Sequence, residues 1–127
     1  MQYDIIPSCV YTSPEIASVG LSEKQAREKG CKYNIGRFSV AYNGKSTIVG
    51  ESAGFVKLIS DKATGELLGA HIIAPRATDM IAELCALKRS EGTIDELAQT
   101  IHPHPTISEM IMEAAHDTEG LSVHAPR

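Results

Sequence analysis

Residues 54–74, GFVKLISDKATGELLGAHIIA, decide the fold. Gly54 to Ser60 and Leu67 to Ala74 are apolar, β-prone runs, and Asp61-Lys62-Ala63-Thr64-Gly65-Glu66 between them has the Asp and Gly that suit a tight reversal. Strands joined by so short a connection pair antiparallel, because a parallel return needs a crossover of a dozen or more residues. A hairpin is therefore expected here.

On its N-terminal side, Lys32 to Ala41 is rich in β-branched and aromatic residues and reads as another strand. Tyr42-Asn43-Gly44-Lys45 follows it with a residue pair that tolerates positive φ, so a turn is expected. Ser22-Glu23-Lys24-Gln25 has capping-box spacing and Gly30 stands where a left-handed C-cap is wanted, which predicts a short helix over about 22–29. Ile5 to Tyr11, interrupted by Pro7, fits an edge strand, and Thr12-Ser13-Pro14-Glu15 then turns the chain.

On its C-terminal side the period changes. Ala77, Ile81, Leu84, Cys85 and Lys88 recur at steps of three and four, predicting the longest helix, which ends near Gly92. Thr93-Ile94-Asp95-Glu96 and Thr106-Ile107-Ser108-Glu109 are two more capping-box patterns, each opening a helix. Strands joined by tight turns, with helices grouped at the end, define an α+β class: an antiparallel β-sheet of about five strands with helices packed on it. One domain over residues 1–127 is expected, with 1–4 and about 119–127 flexible.

Composition narrows the function. At 127 residues and 43% hydrophobic content the chain can bury one core, about two-thirds of the surface its unfolded form exposes. A net charge of −4 with scattered basic residues argues against a nucleic-acid partner. No apolar run reaches the roughly 20 residues that span a bilayer, and Met1-Gln2-Tyr3-Asp4 has no signal-peptide character, so a cytoplasmic protein without membrane attachment is expected. Cys9, Cys31 and Cys85 are odd in number and far apart, which suits reduced thiols rather than a disulfide framework or zinc knuckle.

The segment with chemistry in it is His102-Pro103-His104-Pro105-Thr106-Ile107-Ser108-Glu109. With Thr106 as N-cap, His104 lies just outside the helix and Glu109 in its first turn, so the two can meet. A carboxylate on one imidazole nitrogen fixes the tautomer and leaves the other nitrogen free to move a proton near neutral pH. Pro105 restricts His104 to extended backbone and permits a cis bond. Two other readings stay open on pattern alone: Glu109 closing its capping box beside ordinary loop histidines, and a His-x-His metal pair that lacks a third ligand at an obvious spacing.

Thr12 to Gly20, Gly54 to Ile59, Thr64 to Ile73 and His102 to Glu109 resemble, in order, successive blocks of the pyridine-nucleotide disulfide oxidoreductases, most of all the dihydrolipoamide dehydrogenases. The resemblance runs from about Ile5 to Ala115. It implies the C-terminal interface (dimerisation) domain, with His104 as acid–base catalyst and Glu109 as its partner. Pro103 stands where the family often has Ala, and His102 acquires no role.

The resemblance further implies a parent enzyme that passes a hydride between NAD and FAD, and electrons between flavin and a cysteine pair four residues apart. This chain has no Gly-x-Gly-x-x-Gly fingerprint and no cysteines at that spacing, so it is expected to bind neither cofactor and to catalyse nothing alone. The implied partners are a second copy, whose active site the His–Glu pair completes, and a lipoamide-bearing protein or other disulfide substrate. The helix from about Arg76 to Ser90, with Met80, Ile81, Leu84, Cys85 and Leu87, is expected to serve both the core and a symmetric partner. Glutathione- and mercuric-reductase parents, and a stand-alone dimeric interaction module, are the alternatives.

Overall fold

The computed structural model describes residues 3–123. Its regular elements are β1 (Ser8–Val10), β2 (Glu15–Gly20), α1 (Glu23–Glu28), β3 (Tyr33–Ser39), α2 (Gly44–Ile48), β4 (Phe55–Asp61), β5 (Leu67–Ala74), α3 (Ala77–Arg89), α4 (Ile94–Gln99) and α5 (Glu109–Asp117). Short 3-10 turns occupy Tyr3–Ile5 and Val40–Tyr42.

β4 and β5 form the expected hairpin, with Val56 opposite Ile72 and Leu58 opposite Ala70. Its turn closes because Asp61 Oδ1 accepts from the N–H groups of Ala63 and Thr64, and because Gly65 takes φ +74°, which costs a residue without Cβ little. β3 adds to β4 and β2 to β5, all antiparallel, giving the order β1-β2-β5-β4-β3. An open five-stranded antiparallel sheet is thus the frame, with β1 at one edge as the interrupted Ile5–Tyr11 run suggested. β2 was not distinguished from the turn before it, since Glu15–Gly20 is short and its inward positions, Ala17 and Val19, are small.

Side-chain alternation puts Ala17, Val19, Phe38, Val56, Leu58, Ala70 and Ile72 on one face, all buried. Onto that face α3 lays Ala77, Met80, Ile81 and Leu84, and α5 lays Met110, Ile111, Ala114 and Ala115. Full burial of one side chain such as Leu84 is worth about 1.5–3 kcal/mol. Of the helical residues expected to serve both the core and a partner, Met80, Ile81 and Leu84 are buried, and Cys85 and Leu87 pack partly buried against the same core. α3 turns Asp79, Ala82, Ala86 and Arg89 outward.

α5 lies close to the sheet because β3 carries Gly36 beneath it. A Cβ at that position would run into the carbonyl oxygen of Ala114 and the backbone at Thr118. α1 covers part of the opposite face, held by Glu23, which accepts from Lys57 and pairs with Arg27 and Arg37. Its capping box is formed by Ser22 and Gln25 as the spacing indicated, and Thr93 and Glu96 do the same for α4.

The stretch after β3 departs from expectation. Asn43 is at φ −88°, not positive, and is the N-cap of α2, its Oδ1 accepting from Ser46 N–H. The Asn-Gly pair matched both a turn and a cap, and the acceptor side chain with a helical run behind it made the cap. At the C-terminal end, Ser122 Oγ and Val123 N–H donate to Glu113 on α5. The flexibility expected for residues 1–2 and 124–127 lies outside the described residues.

Candidate functional site

The loop from 101 to 108 joins α4 to α5 and carries both histidines. α5 begins two residues later than expected, with Ser108 as N-cap and Glu109 as its first residue. Thr106 does not cap it; its hydroxyl instead donates to Pro103 O at 2.7 Å. Half of the capping box survives: Thr106 N–H donates to Glu109 Oε2 at 2.9 Å.

The other carboxylate oxygen of Glu109 holds His104. Nδ1 lies 2.8 Å from Oε1, so the ring donates through Nδ1 to the ionised acid and its Nε2 is left for another molecule. The two readings of Glu109 are therefore compatible, one oxygen capping and one orienting. The His104 side chain is 80% exposed and that of Glu109 only 19%, a half-buried anchor behind an accessible ring. The His104–Pro105 peptide is cis.

Glu109 stays ionised against its surroundings. Burial is the largest single influence and pushes its acidity constant up, but the Thr106 N–H, the His104 hydrogen bond and the charges of His104 and His102 together hold it below the usual glutamate value. The carboxylate is thus kept as an acceptor, which is the state that fixes the imidazole tautomer.

The loop is braced from behind. Asn43, 4% exposed, donates through Nδ2 to Thr106 O at 3.0 Å while its Oδ1 caps α2. Beside the ring is a cavity of about 210 Å³ walled by Phe38, Tyr42, Gly44, Met112 and Glu113, with the Phe38 and Tyr42 rings edge to face at 6.3 Å. One exposed nitrogen next to an apolar wall can exchange a proton with a small polar group brought to it.

His102 is placed differently. Its Nε2 is 2.8 Å from Glu83 Oε1 on α3 and its Nδ1 is 3.1 Å from Thr100 O, with the side chain 5% exposed. The two histidines therefore address different helices, and among the described residues no three His, Cys, Asp or Glu side chains are grouped as a metal would need. Cys9, Cys31 and Cys85 are free thiols; burial first, then proximity to Cys9, pushes the Cys85 thiol up. Among the described residues no helix is long and apolar enough to cross a membrane.

Asn43 and Glu83 were not singled out from the sequence. An N-cap signal existed for Asn43 in its spacing to Ser46, but nothing local points from Asn43 to Thr106 or from Glu83 to His102.

An open five-stranded antiparallel sheet, with a His–Glu pair at the mouth of its last helix, defines a class. The chain matches the model of the pyridine nucleotide-disulphide oxidoreductase dimerisation domain over residues 6–115, and it belongs to that family. Within it, the chain resembles the dimerisation domains of dihydrolipoyl dehydrogenases. It is 48% identical over 120 residues to dihydrolipoyl dehydrogenase of Bacillus subtilis, covering 94% of this chain and 25% of that protein. To the mitochondrial enzyme of Pisum sativum it is 39% identical over 124 residues, 98% of this chain and 25% of the relative. LpdA of Mycobacterium tuberculosis has a similar structure, with a TM-score of 0.86 and 28% identity over 91% of this chain and 25% of its own. The chain thus spans about a quarter of the proteins it matches.

Proposed function

We propose that this domain belongs to a dihydrolipoamide dehydrogenase and contributes His104 and Glu109, as acid–base pair, to an active site completed by the partner subunit. The observation behind this reading is the pair's geometry: Nδ1 tied to a carboxylate at 2.8 Å and Nε2 facing outward. A ring held in one tautomer accepts a thiol proton at Nε2 as the dithiol is oxidised and returns it in the reverse direction. Glu109 stabilises the imidazolium that forms, without itself taking the proton.

In such an enzyme FAD and NAD carry the hydride and the electrons. Every strand pairing described here is antiparallel, and no strand-to-helix turn among the described residues is glycine-rich, so they do not fit a dinucleotide pyrophosphate. Its share of the chemistry is the proton, and the isolated chain performs no turnover. Dimerisation is then a condition of catalysis, because the His104 ring is turned outward, where a second subunit can meet it. The outward side of α3, with Ala82 and Ala86, offers small side chains against which a second copy can approach.

The test is complementation. A reductase lacking its interface domain is expected to regain dihydrolipoamide oxidation when this domain is fused in place, and to lose it again with His104→Gln. Full activity from the fused His104→Gln variant would refute the assignment.

A further inference from the structure

The segment His102-Pro103-His104-Pro105 is unusually stiff, because each proline fixes its own φ and restricts the residue before it. Two residues of such chain span at most about 7 Å, so a displacement at His102 is passed to His104 rather than absorbed between them. Glu109 and Thr106 secure the C-terminal side of this segment. On the N-terminal side it is His102 that is buried, with Glu83 on one nitrogen and Thr100 O on the other.

We propose that His102 is a positioning residue for His104, locking the stiff His-Pro-His-Pro segment to α3 through Glu83 so that the His104 ring meets Glu109 in one orientation. Both nitrogens of His102 are occupied, so it has none to offer a substrate or metal. Its side chain is 5% exposed, with each ring nitrogen within hydrogen-bond distance of an oxygen acceptor, so losing Glu83 removes the contact that ties the ring to α3. A residue kept for packing alone would need neither link. The charged groups around it are Glu83 from α3, Glu109 from α5 and His104; Asp79, Arg76 and Lys45 line a cavity of about 380 Å³ with Glu83. The proposal rests on the acid–base reading of His104, which it deepens by adding α3 to the machinery that aims the ring.

The tautomer of His104 reports the aim directly. Long-range proton–nitrogen correlation spectra of this chain are expected to show wild-type His104 with its proton on Nδ1. In His102→Leu and in Glu83→Ala, the His104 nitrogens are expected to shift toward the mixture of free imidazole, in which Nε2–H predominates, while α5 amides stay native. Glu83→Gln keeps an acceptor and is expected to preserve the wild-type signal. In the flavoenzyme carrying the domain, Glu83→Ala is expected to lower kcat for dihydrolipoamide oxidation by at least about tenfold with KM nearly constant.

If His102→Leu fails to fold, Glu83→Ala, at a half-buried position, still decides. Wild-type His104 signals in the folded variants would overturn the proposal, and so would signals that change only as α5 unfolds. Unimpaired turnover by His104→Gln would instead defeat the acid–base reading, while the tautomer result would still answer the positioning question.

Discussion

Glu109→Gln tests the pair most sharply because both carboxylate oxygens are in use. The amide has one acceptor and one donor. If its oxygen takes the His104 Nδ1–H, its NH₂ confronts the Thr106 N–H. If its oxygen takes Thr106 instead, its NH₂ forces Nδ1 to accept and moves the ring proton to Nε2, the atom needed free. Either way one hydrogen bond to a charged acceptor is lost, about 1.5–3 kcal/mol, and with Glu109 only 19% exposed little of that is returned by water. Converted at 1.36 kcal/mol per decade, the loss is roughly ten- to hundredfold in rate. The assay is rapid-mixing reduction of the flavin by dihydrolipoamide in the enzyme carrying this domain, with reduction by NADH as control. Slowing confined to the dihydrolipoamide reaction, with native circular dichroism, is expected. A change below about twofold, or equal slowing of both reactions, would refute the reasoning.

Leu84→Ala empties a fully buried position beneath α3 and is expected to cost about 2–5 kcal/mol, read as a lower urea midpoint with unchanged slope. Gly36→Ala pushes a methyl against the Ala114 carbonyl, so a loss of about 1–3 kcal/mol is expected, together with displaced α5 amide signals. Glu15, whose Oε2 accepts from the Thr78 hydroxyl and N–H, and Glu109 both titrate below the usual glutamate value. A depressed folded value means stability present above the unfolded value and lost as pH falls through the folded one, so the unfolding midpoint is expected to drop below about pH 4. Glu15→Gln combined with Glu109→Gln should flatten that drop, and an unaltered acid profile would count against it.

Much of the frame was legible because its signals are local. The β4–β5 hairpin, the Ser22 and Thr93 capping boxes and the α3 period each lie within a short window, and each formed at or within about two residues of its expected place. The His104–Glu109 contact was legible for the same reason, since five residues separate the two. Local ambiguity explains the departures. Asn43-Gly44 satisfies turn and cap rules alike, and the Thr106 hydroxyl donates to Pro103 O, a contact that capping-box spacing does not reveal.

By itself the sequence determined an antiparallel α+β domain and an imidazole with a carboxylate in reach, because periodicity, caps and short-range pairs are written in neighbouring residues. Only the tertiary structure decided that Asn43 reaches across 63 residues to hold Thr106, that Glu83 on α3 takes His102, and that α5 rests on Gly36. A buried polar atom must find a partner, but its residue type specifies only the need. Which distant group meets that need follows from the packing of the helices on the sheet.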